Sequence, residues 1–279
     1  MKADIESTVR KRKSIRAYEP RPLTEEDKVK VQSLITEILS DLSPFPAGMK
    51  IHLLEEGGSA DTLKLGTYGV IRGARSFLCV TAENTDTAME AVGYHFERLV
   101  LAATDLGLGT CWLAGTFNRE QFSGALEMSE GEIFPIVCPI GYPLDRQTFM
   151  GSIFRMVGKS DQRKDRTELF FETKFGSPLT PEQAGSYDFP LEMLRLAPSA
   201  ANRQPWRIVH QDGALHFFRE ANPKSKYGYD LQRLDVGIGA CHFHLAAKEK
   251  GLSGRFERLP DVFAAQPDNM KYLFSWIAD

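Results

Sequence analysis

Arg10-Lys11-Arg12-Lys13-Ser14-Ile15-Arg16 places five cations and one hydroxyl within seven residues. Guanidinium and hydroxyl groups are the donors a phosphate dianion needs, and arginine can grip it through two parallel bonds. A solvated basic run would have the same composition. A second cluster, Leu196-Ala197-Pro198-Ser199-Ala200-Ala201-Asn202-Arg203-Gln204-Pro205-Trp206, joins small residues to two amides. Small residues allow close backbone approach, and the amides of Asn202 and Gln204 match the edge of a heterocycle. A proline-bounded loop between a helix and a strand would read the same way. His242 and His244 lie two apart on a predicted helix, roughly 200° around its axis, so they cannot share a metal ion.

The bulk properties narrow the function classes. Among 279 residues the net charge is −3, with 42% hydrophobic and 25% charged residues. Such a chain can bury a sizeable core and has no overall electrostatic pull toward nucleic acid or acidic membranes. No stretch approaches the roughly 20 apolar residues of a membrane span. The first residues stay charged and lack an apolar signal core, so secretion is not expected. Cys79, Cys111, Cys138 and Cys241 are far apart and form no C-x-x-C pair. That pattern excludes a disulfide scaffold and a structural zinc module, and favours a reduced, cytoplasmic protein.

The elements that must position these clusters recur along the chain. Val92-Gly93, Leu101-Ala102-Ala103 and Gly107-Leu108 recur 144 positions later as Val236-Gly237, Leu245-Ala246-Ala247 and Gly251-Leu252. Pro22-Leu23-Thr24 recurs 156 positions later as Pro178-Leu179-Thr180, and the strand-like stretch 49–57 matches 205–213 at the same spacing. Three blocks in one order point to an internal repeat. The patterning predicts helices from near Asp4 to Lys13, after Thr24, over Asp86 to Leu106, from Thr180 to about Leu196, and over Leu234 to Lys250. It predicts strands over Met49 to Leu54, Arg75 to Thr81, Ile133 to Ile140, and Met270 to Ile277, with a hairpin of Arg207 to His210 and Ala214 to Phe218. Residues 144–166 read as a polar, basic connector. Runs of helices and hairpins give an α+β class. The division expected is 1–145 for a first half, 146–166 for a connector arm and 167–279 for a second half. Two like halves packed face to face make an isologous interface, with paired clefts that draw on both copies.

The two clusters, together with Gly107-Leu108-Gly109-Thr110-Cys111-Trp112-Leu113-Ala114-Gly115 and Ile140-Gly141-Tyr142-Pro143, resemble the nitroreductase family of flavin enzymes. Arg12, Ser14 and Arg16 match its R-x-S-x-R motif, and Ala197 to Trp206 match its A-P-S-x-x-N-x-Q-P-W loop. The motifs are split between the halves: the second half has Arg166-Thr167-Glu168-Leu169 in place of the first, and the first half has Leu42-Ser43-Pro44-Phe45-Pro46-Ala47-Gly48 in place of the loop. The chain therefore resembles a duplicated, single-chain branch of the family, with a nitroreductase-like fold folded as a pseudo-dimer.

The resemblance implies one FMN at the interface of the halves. Arg12, Lys13, Ser14, Arg16, Gly115 and the connector residue Arg163 would come from one side, and Pro198, Ser199, Ala200 and Asn202 from the other. Arg12, Ser14, Arg16 and Arg163 would hold the phosphate, Asn202 the ring edge or ribityl chain, and the Gly115 N–H would point at flavin N5. Tyr68 is a weaker candidate for the pyrimidine side. Trp112 could shield the flavin or belong to the core. The complementary cleft is expected to set Pro44-Phe45-Pro46 against Thr167 and Glu168, whose acid would repel phosphate and leave it empty. The implied activity is an NAD(P)H-dependent oxidoreductase that reduces nitroaromatic, quinone-like or related small acceptors by ping-pong hydride transfer, with no side-chain acid required and no metal. Ala114 stands where several family members carry Glu, which leaves the substrate class open. The alternatives are a degenerate member that binds a flavin or another small molecule without turnover, and another flavin chemistry on the same fold. A monomer is expected to suffice.

Overall fold

The computed structural model describes residues 4–56, 66–144, 162–221, 228–260 and 266–279. Most of the expected connector, 145–161, lies outside them. Helices α1 (Ile5–Lys11), α2 (Glu25–Ser40) and α3 (Asp86–Asp105) begin where the sequence offers a side-chain acceptor. Asp4, Thr24 and Thr85 accept bonds from the N–H groups of Ser7, Asp27 and Ala88, satisfying donors the first turn would leave open. Strands β1 (Met49–Glu55), β2 (Ser76–Glu83), β3 (Gly109–Thr110) and β4 (Glu132–Gly141) form an antiparallel sheet in the order β1-β2-β4-β3. The short helix α4 (Arg119–Ser123) lies between β3 and β4.

The second part opens with α5 (Arg166–Leu169) and β5 (Phe170–Glu172), then α6 (Pro181–Ala184) and α7 (Asp188–Leu196). One helix from Thr180 to Leu196 is expected from the sequence; instead it breaks at Gly185, whose φ of 54° no continuing helix accepts. Strands β6 (Trp206–Gln211), β7 (Ala214–Glu220), β8 (Gly254–Glu257) and β9 (Met270–Ala278) surround the long helix α8 (Leu231–Glu249) in sequence. Their sheet runs β5-β6-β7-β9-β8, and only the β5–β6 pair is parallel. Without the edge strand β5, β6-β7-β9-β8 repeats the order β1-β2-β4-β3 element for element. The predicted strands and hairpin are present. Two-residue β3, edge strand β5 and β8 are too short or too polar in pattern to be read from periodicity.

Helices α3 and α8 form the centre of the molecule and are buried over nearly their whole length. Their crossing is reciprocal. A methyl carbon on Gly93 would sit 2.1 Å from the Leu234 carbonyl oxygen, and one on Gly237 would sit 2.2 Å from the Glu90 carbonyl oxygen. Gly93 and Gly237 are 144 positions apart, as are Glu90 and Leu234, so each contact is the other with the halves exchanged. That is the signature of an isologous interface. Backbones in such contact leave no room for any side chain. One apolar cluster runs through both sheets and both helices, from Leu78 and Val100 to Phe217 and Trp276. Replacing Gly237 with Ala is therefore expected to destabilise the protein by about 3 kcal/mol through overpacking, measured by urea unfolding; a change within 0.5 kcal/mol, on the order of an ordinary surface substitution, would refute the crossing.

Candidate functional site

At the end of α1 the chain turns extended at Arg12 and runs as a strap over residues 14–18. The Ile15 N–H donates to the Thr110 carbonyl at 2.8 Å, and the Arg72 N–H donates to the Arg16 carbonyl at 2.9 Å. The strap thus lies between β3 and residue 72. Gly109 permits this approach, because a methyl carbon there would meet the Ile15 side chain at 2.9 Å. The structure therefore brings Arg12, Lys13, Ser14 and Arg16 beside the glycine-rich turn that leads to Gly115. Among the described residues, Arg12, Lys13 and Arg16 make no ion pair with a carboxylate, whereas Arg10 on the preceding turn pairs with Glu6. The Nε atoms of Arg12 and Arg16 are buried with no hydrogen-bond partner. Both guanidinium groups act on the buried Cys111 thiol, whose pKa is nonetheless raised because burial outweighs them.

Beyond the turn, Arg119 donates to the Ala114 carbonyl at 2.8 Å and stacks over Phe117, fixing the backbone that presents the exposed Gly115. Tyr68 is 70% exposed with a φ of 48°, on a segment whose Gly66 carbonyl accepts from the Asn118 N–H.

The second group of residues follows α7. Pro198, Ser199 and Asn202 are part-buried and Ala200 is exposed. Ala201, Asn202 and Gln204 have φ values of 51°, 54° and 48°, unusual for residues other than glycine. A dense set of bonds holds this shape. The Gln204 N–H donates to Ser199 Oγ at 2.9 Å, the Asn202 amide donates to the Gln162 carbonyl at 2.6 Å, and the Lys164 N–H donates to Gln204 Oε1 at 2.9 Å. Arg163 donates to Asn202 Oδ1 at 3.1 Å and to the Leu196 carbonyl at 3.0 Å. Arg163 is thus placed on the loop containing Asn202, and no hydrogen bond among the described residues joins it to Arg12 or Arg16.

A buried relay runs between the segments that carry the two groups. Trp112 Nε1 donates to Glu97 Oε2 at 2.8 Å, Glu97 Oε1 lies 2.9 Å from His242 Nε2, and His242 Nδ1 lies 3.1 Å from the Met193 carbonyl. Glu97 and His242 are both fully buried. A carbonyl can only accept, so Nδ1 carries a proton, and one further proton is shared between Nε2 and Glu97. The relay runs from the turn carrying Gly115, across α3 and α8, to one helical turn before Ala197. Positions 144 away are Phe256 for Trp112 and Cys241 for Glu97, while His242 answers to Arg98, so the relay exists on one side only. Chain periodicity could not reveal it. An acid in the apolar run of α3 and a histidine in that of α8 were its only traces, and His242 was weighed solely as a metal ligand.

Asp235 was also missed. It is 3% exposed on α8, accepts the Ala200 N–H at 3.0 Å, and is pushed up to about 7 by burial. The complementary cleft differs from expectation. Pro44, Phe45 and Pro46 face Phe256, Glu257 and Arg258, not Thr167 and Glu168, around a cavity of ≈ 230 Å³. Glu168 instead caps α5, accepting the Asp165 N–H at 3.1 Å. Phe45 packs its ring 5.1 Å from Phe256 and 4.9 Å from Phe274, and Arg258 pairs with the buried Glu90.

A family model described as "Putative TM nitroreductase" matches residues 4–247. The chain belongs to the nitroreductase family of oxidoreductases. Among solved structures, a "putative nitroreductase" of Thermotoga maritima MSB8 is 21% identical over 99% of this chain and 94% of that one, with a TM-score of 0.60, and shares its fold. A nitroreductase family protein of Clostridium novyi NT is 20% identical over 63% of this chain and 97% of that one, with a TM-score of 0.41. A "putative nitroreductase in complex with FMN" from Desulfovibrio desulfuricans is 21% identical over 52% and 89%, with a TM-score of 0.40. Comparison with curated proteins gives no match. In this nitroreductase-family chain, removing one partner of the Glu97–His242 pair strands the other in the core. Glu97→Ala is expected to lower stability by about 3–5 kcal/mol, read by urea unfolding at pH 7; a wild-type midpoint would show the relay to be energetically idle.

Proposed function

We propose that this protein is an NAD(P)H-dependent reductase of nitroaromatic, quinone-like or related small acceptors, working by alternate binding of donor and acceptor, with one FMN per chain between its two lobes. The observation that carries this reading is that Arg12 and Arg16, whose Nε atoms are buried and unpartnered, make no ion pair with a carboxylate among the described residues and lie beside an exposed glycine turn. Buried cationic donors without acceptors are costly unless an anion completes them. A phosphate monoester has the charge and the lone pairs to do so. When bound, FMN supplies a ring atom that takes up and passes on a hydride.

The chain's own residues bind and orient. Arg12, Lys13, Ser14 and Arg16 hold the phosphate. Gly115 offers an exposed N–H to the ring, held in place by Arg119 on Ala114. Pro198, Ser199, Ala200 and Asn202 form the opposite wall, with Arg163 fixing Asn202 from behind, and Tyr68 covers the remaining edge. Trp112, held by Glu97 and His242, ties one wall to the other. No side-chain acid is assigned, because the proton that accompanies each hydride to the acceptor can come from solvent. The second cleft is narrowed by Phe45 packed on Phe256 and Phe274 and, among the described residues, has no counterpart of the basic strap beside it, which supports a single cofactor. The repeated strand order and the reciprocal glycine contacts support a duplicated chain of two halves, 1–145 and 167–279, that works as a monomer. Among the described residues no helix is long and apolar enough to cross a membrane, and all four cysteines are free, in keeping with a reduced cytoplasmic setting.

Purified protein is expected to be yellow and to bleach anaerobically with NADH or NADPH, then regain colour with a nitroarene or quinone. A yellow protein that neither nicotinamide bleaches would favour the non-catalytic binder. Arg12→Ala and Arg16→Ala each remove a charge-assisted contact and should weaken FMN binding by roughly 10–100-fold, measured by equilibrium dialysis. Unchanged affinity in both would contradict the assigned phosphate site.

A further inference from the structure

The loop of Ala200 to Gln204 contains three non-glycine residues at positive φ, a conformation that persists only where its surroundings over-determine it. Most of its restraints come from the adjacent strap, Gln162 to Lys164, and from the loop itself. One restraint has a different origin. Asp235 rises from the buried face of α8 and accepts the Ala200 N–H. It is the bond that ties the loop to the central helix pair. A carboxyl group in an apolar helix face is a costly way to satisfy a single N–H. The position 144 residues earlier, on the side where Phe45 packs against Phe256, is the fully buried Ala91. The acid thus stands only behind the loop proposed to wall the flavin.

We propose that Asp235 is a positioning residue that latches the Ala200–Gln204 loop in its strained, ligand-ready shape. The flavin consequence rests on the function proposed above; the latch itself does not. Asp235 touches no reacting atom in this role. Its charge is met by Arg203 on the loop and opposed by Asp230 at the start of α8. Burial holds its folded pKa at about 7, well above that of an unfolded carboxyl. The folded state therefore binds more protons than the unfolded one between pH 4 and 7, roughly, and stability contributed at this site falls as pH rises through that window.

Three variants separate the roles. Asp235→Asn keeps an acceptor without the charge, whereas Asp235→Leu and Asp235→Ala remove the acceptor. At pH 8 Asp235→Asn is expected to melt above wild type, with the gap closing toward pH 4. Asp235→Leu and Asp235→Ala should release the loop, so that trypsin cuts after Arg203 roughly tenfold or more faster than in wild type, while Asp235→Asn stays protected. Titrated with FMN itself, Asp235→Leu and Asp235→Ala should bind roughly tenfold or more weakly, and Asp235→Asn as wild type does. Wild-type protection of the loop in both truncated variants would overturn the latch, as would equal cutting in all three. Should Asp235→Leu fail to fold, Asp235→Ala against Asp235→Asn gives the same comparison. Released loops with no FMN binding even in wild type would instead sink the flavin reading and leave the latch standing.

Discussion

Everything in this protein is referred to one close contact, the crossing of α3 and α8 at Gly93 and Gly237. Two backbones meet there with space for hydrogen atoms only. Because the contact is reciprocal, it relates the two sheets across the helix pair. The basic strap lies against β3 in the first part of the chain, and the loop containing Asn202 follows α7 in the second. A hydrophobic centre gives this arrangement its stability, but only the glycines let the centre close.

Equivalent surroundings make the differences between the clefts legible. On one side the seam contains Trp112, Glu97, His242 and Asp235, four polar groups placed in apolar helix faces or beside them. On the other it contains Phe256, Cys241, Arg98 and Ala91, and Phe45 packs against Phe256. Burying polar groups is unfavourable unless each finds a partner. Here each does, and the partners lie on different elements: a turn, two helices, and the start of a loop. The polar groups thereby fix relative positions that apolar packing alone leaves loose. The aromatic side, by contrast, is packed as a core.

How far the sequence could be read follows from which forces act locally. Thr24, Thr85 and Gly107 mark helix ends because caps act within a turn, and they fall where expected. The strands of both sheets were visible in their alternation and β-branched content, β3, β5 and β8 excepted. The R-x-S-x-R segment and the 197–206 loop were visible as unusual groupings of donors. The break at Gly185 was not anticipated, because glycine alone does not announce whether a helix stops or continues. The partners of Thr167 and Glu168 were misplaced for a different reason. Repeat spacing gives equivalence along the chain, but an acid has many acceptable partners, and α5 claimed Glu168 for its own cap.

By itself, then, the sequence determined most of the helices and strands, the repeat, the family and the residue types able to bind an anion, since all of these are written in local pattern or in short motifs. Tertiary structure decided which groups meet. It set Arg12 and Arg16 beside the glycine turn without carboxylate partners, joined Trp112 to Met193 through Glu97 and His242, placed Asp235 under Ala200, and seated Phe45 in the second cleft. Those pairings join residues as many as 211 positions apart. They depend on the angle and depth at which two helices cross, a quantity that no local pattern encodes.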